Sequence, residues 1–273
     1  MTQPDPKKPK QFAVQKMIPN MITLTAMGVG MTSIRFAIAG QWEKAVIAIV
    51  VAAFMDAFDG AAARLLKAQS KLGAELDSFS DFVCFGVAPA IVVYLWSLHE
   101  LGNRGWLIAL VFAMAVTLRL ARFNIATEEH DPENPLSKYF TGVPSPIGAG
   151  LAILPMIISF LIDKKGGDMD AALASALQHP YLTGLWLVIV GGLMISHIPT
   201  FSSKQLRLPV HMKFPLLVAF CILIAGLIND PWPTLTLMGV VYLLAMPLGI
   251  LHYKKKAAAF AQGEKEPDEE DGE

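Results

Sequence analysis

The chain has 273 residues, 54% hydrophobic and only 16% charged, with a formal net charge of −1 and a mean hydropathy of +0.48. Soluble domains carry about 25% charged residues, so an ordinary soluble fold is excluded, and the near-neutral balance gives no basis for a nucleic-acid partner. Several apolar runs reach the ~20 residues needed to cross a bilayer, so the expected fold is an all-α, polytopic membrane helix bundle.

Residues 1–18 are polar and rich in Pro and Lys, and read as a cytoplasmic N-terminal segment. Lys7, Lys8, Lys10 and Lys16 precede an apolar run that ends near Ala37-Ile38-Ala39, as in a cleaved leader. Arg35 interrupts that run, so it is read as a first span. Eight apolar segments follow one another, near 19–39, 42–65, 73–99, 105–126, 146–162, 181–199, 214–229 and 233–252. Their short links predict one membrane catalytic domain over 19–252. Residues 253–273 form a cytoplasmic tail, acidic and poor in apolar residues from Gln262 on, and expected to be disordered. With the N-terminus inside, 17 of the 22 Lys and Arg fall on the cytoplasmic side; Arg35, Lys44, Arg104, Lys164 and Lys165 do not. Cys84 and Cys221 lie far apart in apolar stretches and read as buried free thiols.

The second and third segments flank a short basic link, Leu66 to Leu72, and carry Asp56, Asp59, Asp77 and Asp81. Carboxylates within membrane spans are costly and are usually functional. Counted from Gln69, Asp59 and Asp77 lie 10 and 8 residues away, and Asp56 and Asp81 lie 13 and 12. Two antiparallel helices therefore place the four carboxylates in two matched layers, roughly 12–20 Å from the link at the α-helical rise. The i,i+3 and i,i+4 spacings put each pair on one helix face. Four such charges repel unless one or two divalent cations join them, and all-oxygen ligands suit Mg2+ or Mn2+. Gly60 and Ala63 open a groove, Gly73 starts the third helix or allows close contact, and Arg64 lies one turn beyond Gly60, within reach of a phosphate.

Asp56-x2-Asp59-Gly60-x2-Ala63-Arg64-x8-Gly73-x3-Asp77-x3-Asp81 resembles the signature of the CDP-alcohol phosphotransferases. That resemblance implies a six-helix core, which the eight segments extend. It implies two Mg2+ or Mn2+ ions held by Asp56, Asp59, Asp77 and Asp81, with Asp81 as the catalytic base. Asp56, Gly60, Ala63, Arg64 and Gly73 are implied to line the CDP site. Pro19-Asn20-Met-Ile-Thr23 resembles the family's nucleotide-side entry, which adds Asn20 and Thr23. Leu118-Arg119-Leu-Ala-Arg122-Phe-Asn124 and Phe140-Thr-Gly142-Val-Pro144-Ser145-Pro146 look like stretches of the family's phosphatidylserine synthases. The resemblance spans about residues 15–160. It implies phosphatidyl transfer from CDP-diacylglycerol to L-serine, giving phosphatidylserine and CMP. It also implies a likeness to homodimers of a prokaryotic inner (cytoplasmic) membrane, with the active site facing the cytoplasm.

A serine carboxylate needs a cation, and arginine binds it bidentately. Arg119 and Arg122, with Asn124 and Ser145, are therefore the candidate serine-binding residues. Glycerol 3-phosphate or inositol phosphate are alternative acceptors, and these want a larger basic cluster. A divalent cation transporter is the rival from another class. It would not need Gly60, Ala63 and Arg64 at these offsets, and no second aspartate set marks a repeated half.

Overall fold

A computed structural model describes residues 17–128, 140–164, 168–196, 199–200 and 213–261. The first helix, α1 (Ile18–Ile38), opens on Pro19, whose missing N–H costs nothing at that position. It packs along α2 (Trp42–Leu65), and a link containing Lys67, in a left-handed conformation (φ 49°), turns the chain back. α3 (Lys71–Asp81) begins two residues before the expected start. The Ser70 hydroxyl accepts the Gly73 N–H at 3.0 Å and so caps the helix there.

The span does not end at Asp81. A π-helical stretch, Phe82–Val87, joins α3 to α4 (Ala88–Trp96), so one apolar span covers Lys71–Trp96. Gly86 within that stretch admits the next helix, since a Cβ there would stand 3.3 Å from the Val116 side chain. That helix is α5 (Asn103–Glu128). Its other side packs on α9 (Pro180–Ile195), where buried Gly191 faces Ala115. The neighbouring Gly192 has nothing within 4 Å of a Cβ position among the described residues.

Of the eight expected spans, four helices are long and apolar enough to cross a membrane: Ile18–Ile38, Trp42–Leu65, Lys71–Trp96 and Asn103–Ala126. A fifth is the pair α6 (Ser145–Ala152) and α7 (Leu154–Asp163), bent by 44° at Ile153 just before Pro155. Three further apolar stretches lie in helices, Pro180–Ile195, Leu217–Asn229 and Pro231–Pro247. Among the described residues, four or five helices are thus full-length spans, and the three further apolar stretches fall at the remaining expected segments. Between them lies a helix the hydropathy did not mark, α8 (Asp168–Leu177).

α10 (Lys213–Asn229) and α11 (Pro231–Ala261) close the described chain. α11 continues to Ala261, so residues 253–261, expected within a disordered tail, are helical. Residues 262–273 of that tail, residues 1–16 of the N-terminal segment, and Lys138 lie outside the described residues.

The core is formed by Val46 and Ile49 of α2, Val92 and Val93 of α4, Phe112 and Val116 of α5, Met156 of α7 and Leu187 of α9. Large apolar side chains also cover the outside, among them Met21, Phe58, Leu107, Met114, Leu185 and Ile222. Such a surface is unstable in water and suits hydrocarbon. With the long apolar helices, it makes this an integral membrane protein. Cys84 is buried as expected, but Cys221 is exposed on this apolar exterior.

Candidate active site

The acidic hairpin folds as its spacing requires. Ligand oxygens of Asp56, Asp59 and Asp77 all lie within 4.8 Å of one another. Asp81 stands outside that mutual set, but its carboxyl approaches that of Asp56 within hydrogen-bonding range. Asp56 thus joins Asp59 and Asp77 on one side and Asp81 on the other, so the four carboxylates form one continuous cluster.

Two oxygens in this cluster, Asp59 Oδ2 and Asp81 Oδ1, are buried and have no hydrogen-bond partner among the described residues. Thr23 and the Gly60 N–H lie close enough to the Asp59 carboxylate to favour its charge, although the Thr23 hydroxyl donates to the Pro19 carbonyl at 3.0 Å. Buried carboxylate oxygens left unpaired cost several kcal/mol (order of magnitude) unless a cation or proton meets them. Three hard oxygen donors within 4.8 Å of one another, with Asp81 beside Asp56, fit a Mg2+- or Mn2+-sized ion.

Beside the outer layer lies a pocket of about 300 Å3 between α1, α2 and α3. Asn20, Thr23, Gly60, Ala63, Arg64 and Gly73 line it, together with Asp59 and Asp77. Asp56 belongs to the acidic cluster and not to this lining. The exposed Arg64 guanidinium folds back over Gly60, where a Cβ would meet its Nη1 at 3.5 Å. Gly73 is tighter: a Cβ would stand 3.0 Å from Asn20 Oδ1 and 3.1 Å from Ser70 Oγ. Glycine there lets Asn20 of α1 reach the start of α3. Ser70, Gln69 and Pro19 also line the pocket and were not singled out from the sequence. Of these, Ser70 was legible as a cap before an apolar run.

Behind the carboxylates the fold ties α1 to the third span. Ser80 donates to the Thr23 carbonyl at 3.3 Å, and the Cys84 thiol to the Ala26 carbonyl at 3.5 Å. Gly30 makes this approach possible, since a Cβ would lie 2.6 Å from Cys84 Sγ and 3.2 Å from Cys84 Cα.

The four candidate serine-binding residues separate. Arg119, half-buried, donates through Nη1 to the hydroxyl of fully buried Ser145. Its guanidinium stacks 5.6 Å from the Phe123 ring centroid and is in electrostatic contact with Asp81. Arg119 Nε remains buried without a hydrogen-bond partner among the described residues. Arg122, exposed, instead donates to the Ile195 carbonyl at the end of α9, 2.7 Å away. Asn124 donates to Ser78 on α3 at 3.0 Å. Helical rotation explains the split: residues three apart lie about 60° apart around the axis, enough to send one arginine inward and the other to the neighbouring helix end.

These features define a membrane helix bundle with an acidic, metal-competent cluster between a polar groove and a half-buried arginine. Comparison with known sequences gives the family. The family description "CDP-alcohol phosphatidyltransferase" matches residues 16–178, and a second, "CDP-alcohol phosphatidyltransferase 2", matches residues 211–247. A Mycobacterium tuberculosis relative described as CDP-diacylglycerol–serine O-phosphatidyltransferase is 29% identical over 235 residues, covering 86% of this chain and 78% of the relative. A Bacillus subtilis relative of the same description is 40% identical over 143 residues, 52% of this chain and 75% of the relative. One from Helicobacter pylori is 31% identical over 191 residues, 70% and 74% respectively. The chain belongs to the CDP-alcohol phosphatidyltransferase family.

Proposed function

We infer that this chain transfers the phosphatidyl group from CDP-diacylglycerol to L-serine, producing phosphatidylserine and CMP. The observation that carries the reading is the convergence of Asp56, Asp59 and Asp77 beside the Arg64-bearing pocket, with Asp81 and Arg119 on the far side. The relatives named for this reaction support the choice of serine.

Asp56, Asp59, Asp77 and Asp81 would hold two divalent cations, Mg2+ or Mn2+. Bound there, the ions offset the negative charge of the pyrophosphate. Asn20, Thr23, Gly60, Ala63, Arg64 and Gly73 receive the CDP group, with Asp56 beneath it and the Arg64 guanidinium on a phosphate. Arg119, fixed by Ser145, grips the serine carboxylate. Arg122 and Asn124 brace α5 against α9 and α3 around that pocket. Asp81 takes the serine hydroxyl proton. The hydroxyl oxygen then bonds to the phosphorus carrying diacylglycerol, and the bond from that phosphorus to the CMP oxygen breaks. The exposed apolar surface gives the diacylglycerol tails a route from lipid.

The distribution of Lys and Arg supports a site that faces the cytoplasm, and the bacterial relatives support a prokaryotic inner (cytoplasmic) membrane. Residues 19–252 then form the catalytic unit, flanked by cytoplasmic segments 1–18 and 253–273, and the protein works as a homodimer. Cross-linking in native membranes tests the dimer.

CMP release from CDP-diacylglycerol, measured with purified protein and Mn2+ or Mg2+, tests the activity. Release is expected with L-serine and lost in EDTA. Release with glycerol 3-phosphate or an inositol phosphate but not with serine overturns the acceptor. Metal flux into sealed vesicles with no CMP release under any condition overturns the enzyme.

A further inference from the structure

The Arg119–Asp81 corner has a third member that lies far away in sequence. Tyr242 of α11 is in electrostatic contact with Arg119, and its hydroxyl is buried without a hydrogen-bond partner among the described residues. Its ring packs against the main core, which fixes the hydroxyl's direction. The backbone brings α11 there. α11 packs on α7 and on the two-residue strand Pro199–Thr200, and that strand pairs antiparallel with Phe140–Thr141. Four residues beyond Thr141 stands Ser145, the partner of Arg119.

Arg119, whose Nε is a buried donor unsatisfied among the described residues, therefore lies in electrostatic reach of two side chains that carry such atoms too: the Tyr242 hydroxyl, a donor or acceptor, and Asp81 Oδ1, an acceptor. Buried polar groups are normally paired, so three orphans at one corner call for a polar guest. An amino acid fits the set. Its carboxylate takes two donors and its hydroxyl gives a proton to Asp81.

We propose that the Tyr242 hydroxyl completes the acceptor pocket by donating to the carboxylate of the amino-acid substrate held by Arg119. The proposal rests on serine being the acceptor. Tyr242 is then a specificity residue: it distinguishes a carboxylate-bearing alcohol from one that lacks the group. An acceptor without a carboxylate leaves both donors unpaired, and such orphaning is how polar sites reject analogues.

The test is steady-state CMP release by full-length Tyr242→Phe in detergent, with both substrates varied. The substitution removes one oxygen and keeps the ring. KM for L-serine is expected to rise about tenfold, the worth of one hydrogen bond to a charged group, while KM for CDP-diacylglycerol stays within about twofold. L-serinamide, which lacks the carboxylate charge, should discriminate less between wild type and variant than L-serine does. Tyr242→Met, which also keeps apolar volume, should reproduce the serine shift. An unchanged serine KM in a folded variant overturns the proposal. So does an equal rise in both KM values, which marks a merely structural tyrosine. Wild-type protein that ignores serine sinks the functional reading itself, a result distinct from either.

Discussion

Asp59→Asn should stabilise the metal-free protein while it weakens the metal-loaded one. The substitution keeps shape and removes one charge from a buried position. Asp59 shares the mutual 4.8 Å limit with Asp56 and Asp77. At an effective dielectric of 20, each like-charge pair at that distance costs about 3.5 kcal/mol. Water at exposed Asp77 and partial protonation reduce this, leaving a relief of about 1–3 kcal/mol. For a chain of this size, each kcal/mol moves the melting temperature by roughly 2–4 °C. In EDTA, the variant should therefore melt several degrees above wild type. Titration with Mn2+ should reverse the order, because the wild type gains stability by binding and the variant has lost a ligand charge. The assay is thermal unfolding in detergent followed by intrinsic fluorescence, alongside CMP release. A variant no more stable than wild type in EDTA, with an undiminished Mn2+ shift, would refute a shared cation site.

Other substitutions probe separate parts of the site. Asp81→Asn removes the proposed base and should abolish CMP release in protein that still elutes as a folded species; near-normal release would discard Asp81 in that role. Arg119→Ala should raise the serine KM by about 10–100-fold, since it removes charge-assisted hydrogen bonds, whereas Arg122→Ala should shift it far less. Equal effects in a serine titration would show that the inward and outward arginines were misassigned. Gly30→Ala forces a methyl against Cys84, including its backbone Cα, and should cost about 1–3 kcal/mol, read as a lower melting temperature with the metal-induced shift retained.

The acidic hairpin was legible because its information is local. The spacing of Asp56, Asp59, Asp77 and Asp81 about one short link suffices to predict two layers, and the groove residues Gly60, Ala63, Arg64 and Gly73 lie within the same run. Asn20 and Thr23 were reached through resemblance alone, and the structure brings them to the same pocket. What escaped is non-local. Nothing in the sequence around Gly30 says that Cys84 will press on it. Arg119 and Arg122 are alike in sequence and differ only in which neighbouring helix each meets. Tyr242 sits in an apolar stretch that reads as plain membrane helix. Hydropathy also marks apolar segments without saying whether a helix bends at Ile153 or runs only 16 residues, as Pro180–Ile195 does.

The π-helical stretch at Phe82–Val87 directly follows Asp81. A π-turn holds about one residue more than the α-turn it replaces. Rewinding the same residues as regular α-helix, with none deleted, would swing everything downstream through roughly 100°, carrying Val92, Val93 and Trp96 off their buried face while Asp77 and Asp81 stayed put. The acid-bearing and core-bearing halves of this single rod are thus phased independently. Changes on one side of the joint leave the angular setting of the other untouched, so the chemistry and the scaffold are free to diverge at different rates.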